Sequence, residues 1–321
     1  MIYCKVPLRI SFVGGGTDHI NYSKNVGSVI SISIDKFVYV FLNKSWENSY
    51  KLSYSRKENV SSINQIKHPI FRECLKHFKM YKGIELNSVA DIHSRGSGLG
   101  SSSSFTVCLI KALSKFLNIT MKDIEIANLA SEIEIKKCKK FIGKQDQFQA
   151  AFGGFNQFNF NRNGSVSVSK IKINKNRLNS LKQKLVIYST GKFRKADKIL
   201  KNIPINSTKI KKNFNELTSL VKDFKYELLY GDLNNCGNIL DASWNIKKGF
   251  TKNVSNSSID EIYSIGKRAG ALGGKVLGAG GGGFIMFFAD KKSQKNIEKK
   301  LYNLKRLKFD FFLDKYDAKN I

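Results

Sequence analysis

Gly96-Ser97-Gly98-Leu99-Gly100-Ser101-Ser102-Ser103-Ser104 is the stretch from which the rest of this 321-residue sequence can be ordered. Residues 84–92 before it read as a strand, with Ile84, Leu86, Val89 and Ile92 apolar. Phe105-Thr-Val-Cys-Leu-Ile110 after it opens a helix expected over 102–117. Glycines let a backbone take positive φ and approach a ligand closely. Serines at a helix start sit where free N–H groups and the positive dipole end attract an anion, such as a phosphate chain. No Lys-Ser or Lys-Thr pair closes the stretch, so it is not a Walker loop. With G-x-G-x-G spacing and no βαβ unit around it, it is not a dinucleotide fingerprint either.

Two more glycine-rich stretches flank it at a distance. Gly14-Gly15-Gly16-Thr17-Asp18 follows Pro7-Leu-Arg-Ile-Ser-Phe-Val13, an apolar strand interrupted by Arg9. Gly278-Ala279-Gly280-Gly281-Gly282-Gly283 formally fits G-x-G-x-x-G, but it follows a helix and precedes a strand, the reverse of the Rossmann order. That density of glycine costs chain entropy and suits close ligand approach or a tight turn. A fourth segment, Gly143-Lys144-Gln145-Asp146-Gln147, sets polar residues around one carboxylate. On the residues alone Asp146 reads equally as a helix cap.

Strand patterns dominate the first 60 residues, with 30–42 rich in Ile, Val and Phe and 46–54 as a further strand. Trp46 within it reads as a core tryptophan, with a ligand-stacking residue as the alternative. Helical spacing covers 68–78, 122–140, 196–203, most of 213–248, 259–271 and 293–304, and the 122–140 helix opens on a capping-box-like Thr120-x-x-Asp123. Strands are expected at 185–189 and 283–289, and the polar segment 161–180 reads as an inter-domain connection. Strands and helices do not alternate regularly, which favours α+β over a doubly wound sheet.

Composition excludes several classes. With 41% hydrophobic and 12% aromatic residues the chain has enough apolar surface for a packed core. Cys4, Cys74, Cys108, Cys138 and Cys236 are never spaced C-x-x-C, so no structural zinc or redox pair is expected and a reduced cytoplasm fits. Residues 2–10, interrupted by Lys5 and Arg9, read as a strand rather than a signal peptide. No apolar run approaches ~18 residues, so no membrane partner is expected. The net charge of +30 is spread along the chain, in short clusters such as Lys136-Lys-Cys-Lys-Lys140. It reads as a solvated basic surface that attracts anionic metabolites, with nucleic-acid binding as the competing class.

In their order, the three glycine-rich stretches resemble the signature motifs of the GHMP kinases, Gly98-Leu-Gly-Ser-Ser102 most specifically. Pro7-Leu-Arg-Ile-Ser-Phe-Val-Gly-Gly-Gly-Thr-Asp18 together with Gly143-Lys-Gln-Asp-Gln147 resembles the branch that phosphorylates sugars at C1, which holds heptose 7-phosphate and fucose kinases. Thr190-Gly191 with Arg194-Lys-Ala196 is similar to the heptose kinases, and the resemblance runs from about residue 3 to residue 290. It implies a two-domain α+β fold, 1–170 and 180–321, with the active site in the cleft between them. It implies ATP and Mg²⁺, with a sugar phosphate as acceptor.

By the resemblance, Gly96, Ser97, Gly98, Leu99, Gly100, Ser101, Ser102 and Ser103 take the ATP phosphates, and Ser102 and Glu134 hold Mg²⁺. Relatives usually have a proline ahead of this motif; here His93-Ser-Arg-Gly96 has none, and Arg95 becomes an added phosphate contact. Helical spacing supports Glu134: it shares a side with Ala127, Ala130 and Cys138, whereas Glu132 lies with Glu125, Asn128, Lys136 and Lys139. Asp146 would accept the proton of the anomeric hydroxyl, with Arg9 beside it. Gly16, Thr17, Asp18, His19, Gly280, Gly281 and Gly282 would contact the sugar. Arg194 would bind a second phosphate on a heptose 7-phosphate, because a guanidinium grips phosphate with two prongs. An L-fucose or other free-sugar kinase would need no such group.

Overall fold

The computed structural model describes residues 1–19, 27–92, 96–192, 194, 196–205 and 207–320. Its frame is a pair of long strands, β1 (Ile2–Val13) and β2 (Gly27–Lys44), antiparallel from Ile2↔Leu42 to Val13↔Ile30. The register shifts between Pro7 and Leu8, where proline offers no N–H to the ladder. The strand pattern at 30–42 thus belongs to one continuous strand.

β2 forks the sheet. Its second half, Val38–Lys44, pairs with β5 (Ile84–Ala90), which runs parallel to β3 (Tyr50–Ser53), itself paired with β4 (Lys57–Val60). Its first half pairs with β6 (Phe155–Phe160), which leads to β7 (Val166–Lys170). The segment expected as a connection therefore carries an edge strand. α1 (Pro69–His77), α2 (Ser101–Phe116), α3 (Asp123–Ser131) and α4 (Gln145–Phe152) cover one face. Cys4, Val6, Val40, Leu86, Val107, Leu109, Leu113 and Phe148 fill the core between these layers.

After α5 (Lys175–Gln183) the chain builds a second, four-stranded sheet. β8 (Leu185–Ser189), β9 (Gly273–Val276), β10 (Phe284–Phe288) and β11 (Arg306–Leu307) lie in the order β11-β8-β10-β9, all antiparallel. Around it pack α6 (Ala196–Leu200), α7 (Thr208–Leu229), α8 (Leu233–Lys248), α9 (Ser257–Arg268) and α10 (Lys291–Lys300). The helix read over 213–248 breaks at Tyr230–Asp232, and Asp232 caps α8. A middle core joins Leu8, Ile10, Phe12 and Ile32 of the first sheet to Phe224, Leu240, Met286 and Phe288 of the second half. β12 (Lys319–Asn320) returns to pair with β1.

Three local readings are corrected. Trp46 lies in the turn after β2 and is 100% exposed; Trp244 of α8 is the buried tryptophan. Thr120 does not cap α3: Lys122 is the cap residue, and its N–H donates to Glu125 (2.6 Å). The helix expected over 122–140 leaves α-geometry at Glu132, and residues Glu132–Lys137 form a π-helical turn. Among the described residues, no helix is long and apolar enough to cross a membrane.

Candidate active site

The start of α2 is built from glycine geometry. Gly96, Gly98 and Gly100 hold φ of 71°, 77° and 79°, which side-chain-bearing residues rarely adopt. Gly100 is the cap residue, and among the described residues no side chain caps the first turn of α2, which suits an anion. The Ser97 and Ser101 hydroxyls pair (3.0 Å), and Ser104 donates to the Pro7 carbonyl (2.9 Å), fixing the helix to β1. Arg95 lies outside the described residues.

Glu134 sits in the π-helical turn with 0% exposure, aimed at the same helix start; Glu132 is exposed, near Lys137. Four groups donate to the Glu134 carboxylate: Ser102 (2.8 Å) and Lys140 (2.6 Å) to Oε1, Ser103 (2.6 Å) and Gln147 (2.8 Å) to Oε2. Burial alone would raise its pKa. Lys140 and the two serine hydroxyls outweigh burial, and the carboxyl lies below its ordinary range. The Lys140 ammonium also donates to Ser102 Oγ (2.8 Å). Ser102 and Glu134 thus already grip one cation between hard oxygens, a donor pair that fits Mg²⁺. No cluster of three or more His, Cys, Asp or Glu side chains exists among the described residues, so phosphate and water oxygens would complete such a shell.

Asp146, in the first turn of α4, faces β1. Arg9 holds its Oδ1 twice, through Nε (2.9 Å) and Nη2 (2.7 Å), and donates from Nη1 to the Gly98 carbonyl (2.6 Å). One guanidinium therefore ties the carboxylate to the glycine-serine loop. Among the described residues nothing holds Asp146 Oδ2. Burial raises the Asp146 pKa, Arg9 pulls it back, and the charges of Asp18 and Glu134 push it up again, for a net upward shift.

The first glycine turn brings Asp18 to the same place. Asp18 accepts from the N–H groups of Gly16 and Gln145 (each 3.1 Å), and a side chain at Gly143 would strike its carboxylate. Thr17 bonds the carbonyls of Gly14 (2.8 Å) and Ser28 (3.1 Å), so its hydroxyl holds the turn to β2. His19 bridges to Gly143 and is buried, which lowers its pKa despite Asp18. The third glycine loop is bonded within its own half of the chain and also lies against Gly96–Gly98 of the first half. Gly281 N–H donates to Val254 (2.8 Å) and Gly283 N–H to Lys192 (2.6 Å), so the Gly281 N–H expected to meet the sugar is already bonded. Side chains at Gly280 or Gly282 would strike the carbonyls of Val254 or Lys192. Arg194 is exposed, its main chain lies against Gly96, and its Cδ passes the Gly281 position.

Sequence reading missed Lys140, Gln145 and Gln147. Lys140 stood in a basic cluster that reads as solvated surface, and helical spacing does not pair it with Glu134.

Residues 64–154 match the GHMP kinases N terminal domain and residues 220–305 the GHMP kinases C terminal domain. The chain is 32% identical to the D-glycero-alpha-D-manno-heptose 7-phosphate kinase of Campylobacter jejuni, over 99% of this chain and 98% of that protein. It belongs to the GHMP kinase family. The α+β architecture read from the sequence is the GHMP fold. A crystal structure of a D-glycero-D-manno-heptose 1-phosphate kinase from Bacteriodes thetaiotaomicron superposes with a TM-score of 0.83 at 26% identity, covering 100% of this chain and 99% of that one. The bifunctional fucokinase/GDP-fucose pyrophosphorylase of Arabidopsis thaliana is 24% identical over 92% of this chain and 31% of its own length. This GHMP chain is a sugar kinase, and the donor its family implies is ATP.

Proposed function

We propose that the enzyme transfers the γ-phosphoryl group of ATP to the anomeric hydroxyl of D-glycero-D-manno-heptose 7-phosphate. The product is the 1,7-bisphosphate, a precursor of nucleotide-activated heptose for surface polysaccharide, made in the cytoplasm. Asp146 carries the reading: among the described residues its Oδ2 is open, it lies beside a helix start capped by Gly100 with no side-chain bond, and its pKa is raised. Asp146 takes the anomeric proton as that oxygen attacks the γ-phosphorus. The bond from phosphorus to the β–γ bridging oxygen breaks, and ADP leaves. Arg9 holds the carboxylate ionised and meets charge on the transferring group. The start of α2 binds the triphosphate. Ser102 and Glu134 would hold Mg²⁺, which supplies neutralisation of phosphate charge when bound. Asp18 orients sugar hydroxyls through charge-assisted bonds.

The full-length similarity to a heptose 7-phosphate kinase supports the acceptor. The second reading, an L-fucose or other free-sugar 1-kinase, draws on the fucokinase relative and on the exposure of Arg194. An ATP-consumption screen across phosphorylated and free sugars, with product position read by phosphorus NMR, decides between them. Turnover of heptose 7-phosphate with a new anomeric phosphate is expected. Arg194→Ala then raises KM for the phosphorylated sugar and leaves KM for its dephosphorylated analogue unchanged. Preference for free fucose, or transfer to another hydroxyl, refutes the reading.

A further inference from the structure

One cation close to the catalytic carboxylates belongs to none of the glycine-rich stretches. Lys247 lies in the last turn of α8 and is 5% exposed. Its ammonium donates to the carbonyl of Gly278, the first residue of the third glycine loop. That loop abuts the phosphate loop backbone to backbone: a Cβ on Gly278 would lie 2.6 Å from Gly98 Cα, and one on Gly98 would lie 2.2 Å from the Leu277 carbonyl oxygen. The Gly98 carbonyl is held by Arg9. Two buried cations, one from each half of the molecule, therefore hold the carbonyls of two glycines in contact.

The charges around Lys247 are mixed. Asp18 from the first glycine turn and Asp146 from α4 attract it; Arg9 from β1 repels it, and Lys275 from β9 is a further neighbour. Lys275 is itself buried, donates to the Phe12 carbonyl (2.7 Å), and is driven well below the ordinary lysine range by burial. Lys247 and Arg9 face the carboxylates from the two halves of the molecule.

We infer that Lys247 is a positioning residue for phosphoryl transfer: its ammonium fixes the third glycine loop against the phosphate loop and faces Asp18 and Asp146 from the C-terminal half. Losing that charge loosens the seam between the loops and removes one of the cations that face Asp18 and Asp146. Burial brings the Lys247 pKa down to about 8, so the charge is lost as pH rises through that value. The fold does not weaken there on this account. Between about 8 and 10.5 the unfolded chain binds the proton and the native one does not, so this group makes stability rise with pH. A fall in activity over that range is a site effect.

The test compares pH profiles of kcat/KM for the wild type, Lys247→Arg and Lys247→Met, with thermal unfolding alongside. The wild type should lose activity with a midpoint near 8. Lys247→Arg should keep most of the neutral-pH activity and lose that alkaline limb. Lys247→Met should fall about 100-fold at every pH, as for a misplaced reacting group, with nucleotide-analogue binding retained. An alkaline limb that persists in Lys247→Arg, or wild-type activity in Lys247→Met, overturns the inference. The inference rests on the kinase reading but not on the sugar. Should no sugar be turned over, the acceptor assignment fails alone, and lysine Cε–Hε NMR reads Lys247 directly. A resonance titrating near 8, moving upward when Arg9 is replaced by Met and its repulsion is lost, supports the mixed cluster; titration near 10.5 refutes it.

Discussion

Glu134 and Asp146 are two carboxylates of one site with opposite electrostatics. Glu134 is enclosed by four donors and is held ionised below its ordinary range. Among the described residues Asp146 has one partner, bonded to one oxygen, and it is shifted upward. Burial opposes charge on both; at Glu134 the Lys140 ammonium and the serine hydroxyls outweigh it, whereas at Asp146 Arg9 does not, and Asp18 and Glu134 add repulsion. A carboxylate meant to hold a cation must stay charged at every working pH. One meant to take a proton needs a free lone pair and a pKa nearer neutrality.

That contrast can be broken most sharply at Asp146. Asp146→Ala should keep nucleotide binding, measured by calorimetry, and lower kcat by about 10³- to 10⁴-fold, the upper range for a general base. Arg9→Met comes next, with a loss of about 10²- to 10³-fold in kcat, because it removes an electrostatic partner and the Gly98 tether. Glu134→Gln should raise the Mg²⁺ concentration needed for half-maximal activity by about 10- to 100-fold, read in a metal titration. It should also change the response of stability to acid. A carboxyl with a depressed native pKa contributes stability above its ordinary 4.5 and loses it as pH falls through the depressed value. The acid slope of the unfolding midpoint should therefore flatten in Glu134→Gln. With Asp146 as the proposed base, the acid limb of kcat/KM should remain in that variant, at a pH above the ordinary aspartate value of 3.8. Glu132→Gln, on the exposed side of the same turn, should change kinetics by less than about twofold.

How much of this was legible follows from where each signal lives. The helix start at Gly100–Ser104 was readable because glycine and serine chemistry acts locally. The inward aim of Glu134 followed from its small apolar neighbours, although the turn that carries it proved to be π-helical. The Arg9–Asp146 pair joins residues 137 positions apart, and the resemblance to a known family placed them together where periodicity alone could not. Lys140 and Lys247 were hidden among 55 basic residues, most of which face water. Lys247 did leave a trace: Leu240, Trp244 and Lys247 share one buried helix face, and a lysine on an apolar stripe asks for a partner. Trp46 failed in the opposite direction. Its hydrophobicity suggested the core, but the turn geometry after β2 puts it in solvent.

The most direct measurement is a crystal structure with a nonhydrolysable ATP analogue and heptose 7-phosphate. The account predicts the terminal phosphorus between the start of α2 and Asp146, with the sugar's C1 oxygen about 2.6–3.2 Å from Asp146 Oδ2. A triphosphate bound away from α2, or a C1 oxygen out of reach of Asp146, would contradict it.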